Sequence, residues 1–191
     1  MILYVDACVR EQSRTRRLAD NLLTLLDGTA EKVRLSGITF PTVDKEYLKK
    51  RDRLIWEGKF DDPLFRYARR FAEASRIVIA APYWDLSFPA MLKQYLEQVC
   101  VPGITFTYTE EGVPKGLCCA DRLYYVTTAG GLAVPEDFGY GYVKALAGGL
   151  FGIGRVELIK AVGLDLDGAD PEKILWESIR GMFESRLAEA D

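Results

Sequence analysis

Histidine is absent from this sequence of 191 residues. Its absence removes the Ser-His and Cys-His pairs that activate nucleophiles, the common zinc sites, and the side chain that most often transfers protons near neutral pH. Any chemistry in this chain must therefore proceed without an imidazole. We predict no metal site and no side chain that is catalytic in the strict sense.

An excess of basic residues is also missing. The 25 Lys and Arg residues and the 28 Asp and Glu residues give a net charge of −3, and the basic residues are spread along the chain. A nucleic-acid partner or an anionic membrane would require a basic face, so we expect neither. No apolar run approaches the roughly 18 residues that span a bilayer, and the first residues lack the layout of a signal peptide. These features predict a cytoplasmic protein.

Cysteine is scarce, and its spacing gives no paired-cysteine zinc motif. The four cysteines are Cys8, Cys100, Cys118 and Cys119. The adjacent pair, Cys118 and Cys119, would form a disulfide only with strain. Free thiols of this kind are consistent with a reducing, intracellular compartment.

Short apolar runs alternate with amphipathic segments along the chain. The runs predict strands at residues 2–5, 32–35, 77–81, 123–128 and 156–162. The run at 77–81 is apolar on both faces, which is typical of a central parallel strand covered on each side. The alternation predicts an α/β fold with a doubly wound, five-stranded parallel sheet, in one domain over residues 1–191.

The predicted helices carry recognisable start signals. One helix begins at Pro63, with Asp62 as its cap, and another covers residues 138–150. Asp170 opens the last helix, whose apolar stripe is Leu175, Ile179, Met182 and Phe183. Residues 102–116 are rich in Thr, Gly and aromatic residues and interrupt the alternation, so we predict an inserted hairpin there.

Three loops that directly follow predicted strands have unusual compositions. In the first, residues 8–17, Ser13 and Thr15 lie beside several arginines where a helix begins, and such a site favours an anion. An ordinary helix cap with solvated arginines explains the same residues equally well. The second loop contains Pro82, Tyr83 and Trp84, which suit either a flat ligand ring or simple packing. The third loop, residues 127–131, ends in two glycines, which allow a ligand close to the backbone.

These motifs, taken in order, resemble the flavodoxin-like FMN-dependent NAD(P)H:quinone oxidoreductases and azoreductases. Residues 82–95 are similar to the family's Pro-Met-Tyr-Asn-Phe or Pro-Leu-Gln-Trp-Phe segment and the Pro-Ala-x-Leu-Lys that follows it. Residues 103–112 resemble its Gly-Val-Thr-Phe-x-Tyr-Thr hairpin, and residues 127–131 resemble its Thr-Ser-x-Gly-Gly turn. Ser13 and Thr15 fall where its phosphate-binding hydroxyls lie. The resemblance covers most of the chain.

The resemblance implies a flavodoxin-like fold, FMN as cofactor, NAD(P)H as electron donor, and a small organic acceptor such as a quinone or azo compound. The cofactor-binding residues that it implies are Ser13, Arg14, Thr15, Pro82, Tyr83, Trp84, Asp85, Leu86, Thr128, Ala129, Gly130 and Gly131. It also implies a homodimer in which Phe106 and Tyr108 of the hairpin reach over the neighbouring subunit's site and contact substrate. Asp85 stands where relatives often carry Asn, and Ala7-Cys8 stands where they often supply a serine.

Two other functions remain open at this point. Cys8 and Arg14, separated by five residues, match the loop of low-molecular-weight tyrosine phosphatases, in which a cysteine thiolate attacks phosphorus. Against this, Glu11 would bring a negative charge to an anion site, and the loop has no glycine. An electron-carrier flavodoxin or a flavin-binding sensor is the other alternative, although carriers are usually more acidic and lack the hairpin.

Overall fold

The computed structural model describes residues 1–190 of the chain, and the side chains of residues 1–181. Its strands and helices in chain order are β1 (Ile2–Asp6), α1 (Arg14–Leu25), β2 (Ala30–Arg34), α2 (Lys45–Trp56), α3 (Arg66–Glu73), β3 (Arg76–Ala80), α4 (Ala90–Val99), β4 (Phe106–Tyr108), β5 (Pro114–Gly116), β6 (Arg122–Thr128), α5 (Tyr142–Leu146), β7 (Arg155–Ala161) and α6 (Pro171–Ala190). None of the described helices is both long and apolar enough to cross a membrane.

The central sheet is parallel, with the strand order β2-β1-β3-β6-β7. The chain moves outward from β1 to β2 and then crosses back over β1 to form β3. The strand order therefore reverses between β1 and β3, and ligands of such sheets bind at the carboxyl ends of these strands. The predicted doubly wound, five-stranded sheet is confirmed.

Both faces of the sheet are covered, as the apolar β3 requires. Ile77 and Ile79 belong to the core beneath α3 and α4. Val78 and Ala80, which alternate with them, belong to the core beneath α1 and α6. Leu175 and Ile179 of the predicted stripe lie in this second core, whereas the side chains of Met182 and Phe183 lie outside the described residues.

The predicted hairpin is present as the antiparallel pair β4 and β5, with Phe106 opposite Gly116. Its base is fixed by Thr105, a buried residue whose hydroxyl donates to the carbonyl of Val99 at 2.8 Å. A Cβ atom at Gly116 would lie 2.2 Å from the backbone nitrogen of Gly152. Glycine at 116 therefore lets the hairpin pack directly against the turn that precedes β7.

Two predicted helices differ in detail from the structure. Residues 138–150 do not form one regular helix, because the wide turns Asp137–Gly141 and Ala147–Phe151 flank the short α5. Glycines in both wide turns lower the helix propensity there. Pro63–Phe65 forms a separate 3₁₀ turn before α3, in which the N–H of Phe65 donates to the carbonyl of Asp62, three residues earlier, at 3.0 Å. The Asp62 carboxylate caps this turn by accepting the N–H of Leu64 at 2.8 Å.

Candidate functional site

A cavity of about 370 Å³ opens at the carboxyl edge of the sheet, where the strand order reverses. Four strand-end loops contribute to it, those after β1, β3, β6 and β7. Its lining residues are Val9, Arg10, Gln12, Ser13, Arg14, Thr15, Pro82, Tyr83, Trp84, Thr128, Ala129, Gly130, Leu164 and Asp165. The volume lies in the range of about 300–1,000 Å³ that is typical of small-molecule sites.

One part of the cavity wall is the N-terminus of α1. Ser13 is the helix cap, and its hydroxyl accepts the N–H of Arg16 at 3.2 Å. The N–H groups of Arg14 and Thr15 have no hydrogen-bond partner among the described residues. The Thr15 hydroxyl is buried and lies 2.6 Å from the Thr128 hydroxyl, which ties this loop to the loop after β6. Free N–H groups at the positive end of a helix are suited to an anion such as phosphate.

The arginines of the first loop have different environments. Arg14 lines the cavity, and its guanidinium donates to the Asp165 carboxylate at 2.6 Å and to the carbonyl of Leu164 at 3.3 Å. Arg17 is half exposed and pairs with Glu172. Arg16 is buried beneath the loop and pairs with the fully buried Asp6 at 2.7 Å. The interpretation of Ser13 as a cap is therefore correct, but the arginines around it are not uniformly solvated.

The carboxylate of Asp6 stays ionised within this buried pair. Burial alone would raise its pKa, but hydrogen bonds from the Arg16 side chain and the Cys8 N–H outweigh burial and hold the pKa below its ordinary value. Lys32 and Arg34 also approach the same carboxylate, at 3.5 and 3.8 Å. The end of β1 thus carries a fixed negative charge that several basic side chains surround.

Another part of the cavity wall is aromatic. Tyr83 and Trp84 line it directly after β3, and the N–H of Tyr83 donates to the carbonyl of Thr128 at 3.2 Å. The Tyr83 hydroxyl is buried and has no hydrogen-bond partner among the described residues. A buried hydroxyl without a partner is unfavourable, so Tyr83 is held in this position at a cost in stability.

A tight turn follows these aromatic residues. Trp84 and Ser87 exchange backbone hydrogen bonds of 3.2 and 2.7 Å, with Asp85 and Leu86 at the turn. Both turn residues have positive φ, 49° for Asp85 and 67° for Leu86, as in a type I′ turn. Aspartate tolerates this conformation, but leucine rarely adopts it, at a cost of roughly 1–2 kcal/mol. The strained turn holds Trp84 at the edge of the cavity.

The loop after β6 forms part of the cavity wall. A Cβ atom at Gly130 would lie 2.1 Å from a carboxylate oxygen of Asp165, so only glycine fits without moving that side chain. The carbonyl of Gly130 accepts the N–H of Asp165 at 3.1 Å, and the N–H of Ala129 donates to Ala161 of β7 at 3.0 Å. These bonds join the loops after β6 and β7 into one wall.

The structure brings together most of the predicted cofactor residues but not all of them. Those that line the cavity are Ser13, Arg14, Thr15, Pro82, Tyr83, Trp84, Thr128, Ala129 and Gly130. Asp85, Leu86 and Gly131 lie outside the lining. Phe106 and Tyr108 also lie outside it. They meet edge-on within the hairpin, with ring centroids 5.5 Å apart, Phe106 buried and Tyr108 exposed.

The fourth loop is absent from the predicted site residues. Leu164 and Asp165 follow β7 and line the cavity, and Asp165 is the direct partner of Arg14. The sequence does carry a signal for it, because residues 156–162 are a predicted strand and the loop after a parallel strand lies at the same edge of the sheet. Val9, Arg10 and Gln12, within the first loop, were also not singled out.

The environment of Cys8 contradicts the phosphatase interpretation. Cys8 is fully buried and is not among the residues that line the cavity. Burial raises the pKa of its thiol to about 12, so the thiolate that a nucleophile requires is not available near neutral pH. Its sulfur contacts the carbonyl of Ala80 at 3.8 Å instead. Cys8 is a packing residue.

Comparison with known proteins identifies the family of the chain. The family model described as flavodoxin-like fold matches residues 1–184. The chain belongs to the flavodoxin-like family. Within it, the chain is 42% identical over 180 residues to an FMN-dependent NADH:quinone oxidoreductase of Lachnoclostridium phytofermentans, covering 90% of each protein. It is 39% identical over 174 residues to FMN-dependent NADH:quinone oxidoreductase 2 of Clostridium acetobutylicum, covering 88% of this chain and 82% of the relative.

Solved structures show the same flavodoxin-like fold. An azoreductase from Bacillus anthracis strain Sterne aligns with a TM-score of 0.79 at 24% identity, over 94% of this chain and 95% of that one. An FMN-dependent NADH-azoreductase from Bacillus anthracis strain Ames Ancestor, solved in complex with FMN, aligns with a TM-score of 0.77 at 23% identity. That alignment covers 100% of this chain and 99% of the other.

Proposed function

We propose that this chain is an FMN-dependent oxidoreductase that passes electrons from NADH or NADPH to a small organic acceptor such as a quinone or azo compound. The observation that carries the proposal is one cavity that is lined both by the N-terminus of α1, whose donors suit an anion, and by the aromatic residues Tyr83 and Trp84. FMN has two matching parts, a phosphate at one end and a flat ring at the other. The names of the relatives in Clostridium acetobutylicum and Lachnoclostridium phytofermentans support the same chemistry.

The residues present fit FMN. The N–H groups of Arg14 and Thr15, the Ser13 hydroxyl and the Arg14 guanidinium would hold the phosphate, because each is a donor at the helix N-terminus. Pro82, Tyr83 and Trp84 would hold the ring, together with the loop residues Thr128, Ala129 and Gly130. Asp85, Leu86 and Gly131 would act at the rim.

Bound FMN would supply the electron-transfer chemistry, and the protein residues would orient and enclose it. The backbone bonds that join the loops after β6 and β7 would keep one wall fixed as acceptors enter and leave. Protons would reach the acceptor from water, Tyr108 or another weak acid, since the chain has no histidine.

We further propose a homodimer, with residues 102–116 near the interface and Phe106 and Tyr108 completing the neighbouring subunit's site. Exposed apolar side chains on the hairpin and in the segments after β3, β5, β6 and β7 support it, because an interface would remove them from water. These side chains are Trp84, Leu86, Tyr108, Val113, Leu117, Leu132, Phe138 and Leu166. A stable monomer with full activity in sedimentation experiments would contradict the proposal.

We also propose that residues 1–191 act as one flavodoxin-like domain in the cytoplasm, with no nucleic-acid or membrane partner. The four cysteines are free in the structure, as a reducing compartment favours. The supply of NADH and NADPH in the cytoplasm suits the proposed reaction.

The function is tested by NADH oxidation with purified protein, FMN and a soluble quinone, without any partner protein. We expect repeated turnover that depends on both FMN and quinone. An electron carrier would bind FMN but oxidise NADH only when a partner reductase is added. Protein that remains colourless and does not quench the fluorescence of added FMN would contradict the proposal.

A further inference from the structure

Arg16 is buried although it lies in a run of basic residues. Its side chain turns under the loop that precedes α1. Its Nε donates to Asp6 at 2.7 Å, and its Nη2 donates to the carbonyl of Cys8 at 2.7 Å. Its Nη1 donates to the carbonyls of Arg10 and Glu11, both at 2.8 Å. One guanidinium thus holds three carbonyl groups of a short loop and one buried carboxylate.

These bonds fix the direction in which the loop's N–H groups point. In a planar trans peptide, the carbonyl of one residue and the N–H of the next point in opposite directions. Because the carbonyls of Cys8, Arg10 and Glu11 face Arg16, the N–H groups of the residues that follow them point away from it. None of these N–H groups has a hydrogen-bond partner among the described residues, and two of them belong to Val9 and Gln12, which line the cavity.

Asp6 holds the guanidinium in place. It is the last residue of β1, and its second oxygen accepts the N–H of Cys8 at 3.0 Å. The sheet therefore fixes Asp6, Asp6 fixes Arg16, and Arg16 fixes the loop. Arg16 does not line the cavity, so it cannot act on a ligand by direct contact.

We propose that Arg16 is a positioning residue that holds residues 8–12 in the conformation in which the N–H groups of Val9 and Gln12 join those of Arg14 and Thr15 in binding the ligand's phosphate. The proposal rests on the proposed function, in which that ligand is FMN. Its consequence is selective: Arg16 sets the preference for FMN over riboflavin, which has the same ring but no phosphate.

The test is a pair of fluorescence titrations, with FMN and with riboflavin, on the wild type and three variants. Arg16→Gln removes the charge and most of the carbonyl contacts. Arg16→Lys keeps a cation beside Asp6, which preserves the fold, but cannot reach three carbonyls at once. Arg17→Gln is the matched control. Arg17 is the neighbouring arginine and is half exposed, and the substitution removes the same positive charge.

We expect Arg16→Gln and Arg16→Lys to weaken FMN binding by about tenfold or more, the effect of losing one or two hydrogen bonds, while riboflavin binding changes little. Arg17→Gln should keep the wild-type ratio of the two affinities. If folded Arg16→Lys keeps that ratio, or if both affinities fall by the same factor, the proposal is wrong while the proposed function stands. A wild type that binds neither flavin would overturn the proposed function and this proposal with it.

Discussion

The loop after β1 is held from inside by a buried ion pair, whereas the loop after β3 is held by a turn in an unfavourable backbone conformation. In the first, the Arg16 guanidinium donates hydrogen bonds to the loop carbonyls and to the Asp6 carboxylate. In the second, Asp85 and Leu86 adopt positive φ, and Leu86 is exposed to solvent. The two loops follow neighbouring strands, both contact Thr128, and both line one cavity.

This difference suits the two parts of the proposed ligand. A phosphate is small and strongly charged, so it is best recognised by donors that are already fixed before it binds. The flat flavin ring needs an apolar surface to pack against, and acceptors must be able to enter and leave beside it. Exposed aromatic and apolar side chains are suited to both requirements. Strain that the rest of the fold maintains is common at such positions.

The largest effect on stability should come from removing the buried Asp6–Arg16 ion pair beneath the first loop. Asp6→Asn leaves Arg16 buried without its counter-charge, with Lys32 and Arg34 close by. We expect the free energy of unfolding to fall by about 3–5 kcal/mol, as for other broken buried pairs, in urea denaturation. Asp20→Asn is the control, since Asp20 is an exposed carboxylate that also faces Lys32, and it should change stability little.

The same pair predicts a pH dependence. The folded-state pKa of Asp6 lies below its ordinary value of 3.8, so its carboxylate stabilises the fold above that pH. This contribution should be lost as the pH falls below 3.8 through the folded-state pKa. The free energy of unfolding should therefore fall less steeply with acid in Asp6→Asn than in the wild type, as measured by urea denaturation at a series of pH values. An equal fall in both proteins would contradict the assignment.

A smaller effect is expected at the surface of the first loop. Arg14→Ala removes a cation that lines the cavity without disturbing the buried pair. We expect FMN binding to weaken by about tenfold to a hundredfold, the range for a charge-assisted hydrogen bond, with riboflavin binding nearly unchanged. Isothermal titration with both flavins measures this. If riboflavin binding weakens as much as FMN binding, Arg14 does not act on the phosphate.

The smallest effect is expected from removing the backbone strain at Leu86 in the second loop. Leu86→Gly places a residue that readily adopts positive φ in the strained turn, and little buried area is lost because Leu86 is exposed. We expect the free energy of unfolding to rise by about 0.5–1 kcal/mol. Leu132→Gly is the matched control, since Leu132 is also exposed but does not have positive φ, and it should give no gain. Destabilisation by Leu86→Gly would show that the side chain contributes more than the strain costs.

The sheet could be predicted because its signal is local. Strand β3 is apolar on both faces, and each predicted strand of the sheet lies within two residues of its observed bounds. The hairpin was also predictable, since aromatic and Thr residues interrupt the alternation there. The prediction for residues 138–150 is less accurate. The apolar spacing there indicates one helix, but the glycines favour the two wide turns that the structure contains.

The interior of the site could not be predicted in the same way. Arg16 lies between Thr15 and Arg17, and nothing in that run shows which arginine is buried. Its burial depends on Asp6, ten residues earlier, at a strand end that only the fold brings beneath the loop. The turn at Asp85 and Leu86 was hidden for the opposite reason, because leucine normally argues against positive φ. Both cases show tertiary structure overriding a local preference.

The most direct test of the account is a crystal structure of this protein with FMN. We expect the phosphate within about 3 Å of the N–H groups of Arg14 and Thr15, and the flavin ring against Tyr83 and Trp84. A phosphate placed away from the N-terminus of α1, or a ring outside the loop that follows β3, would contradict it.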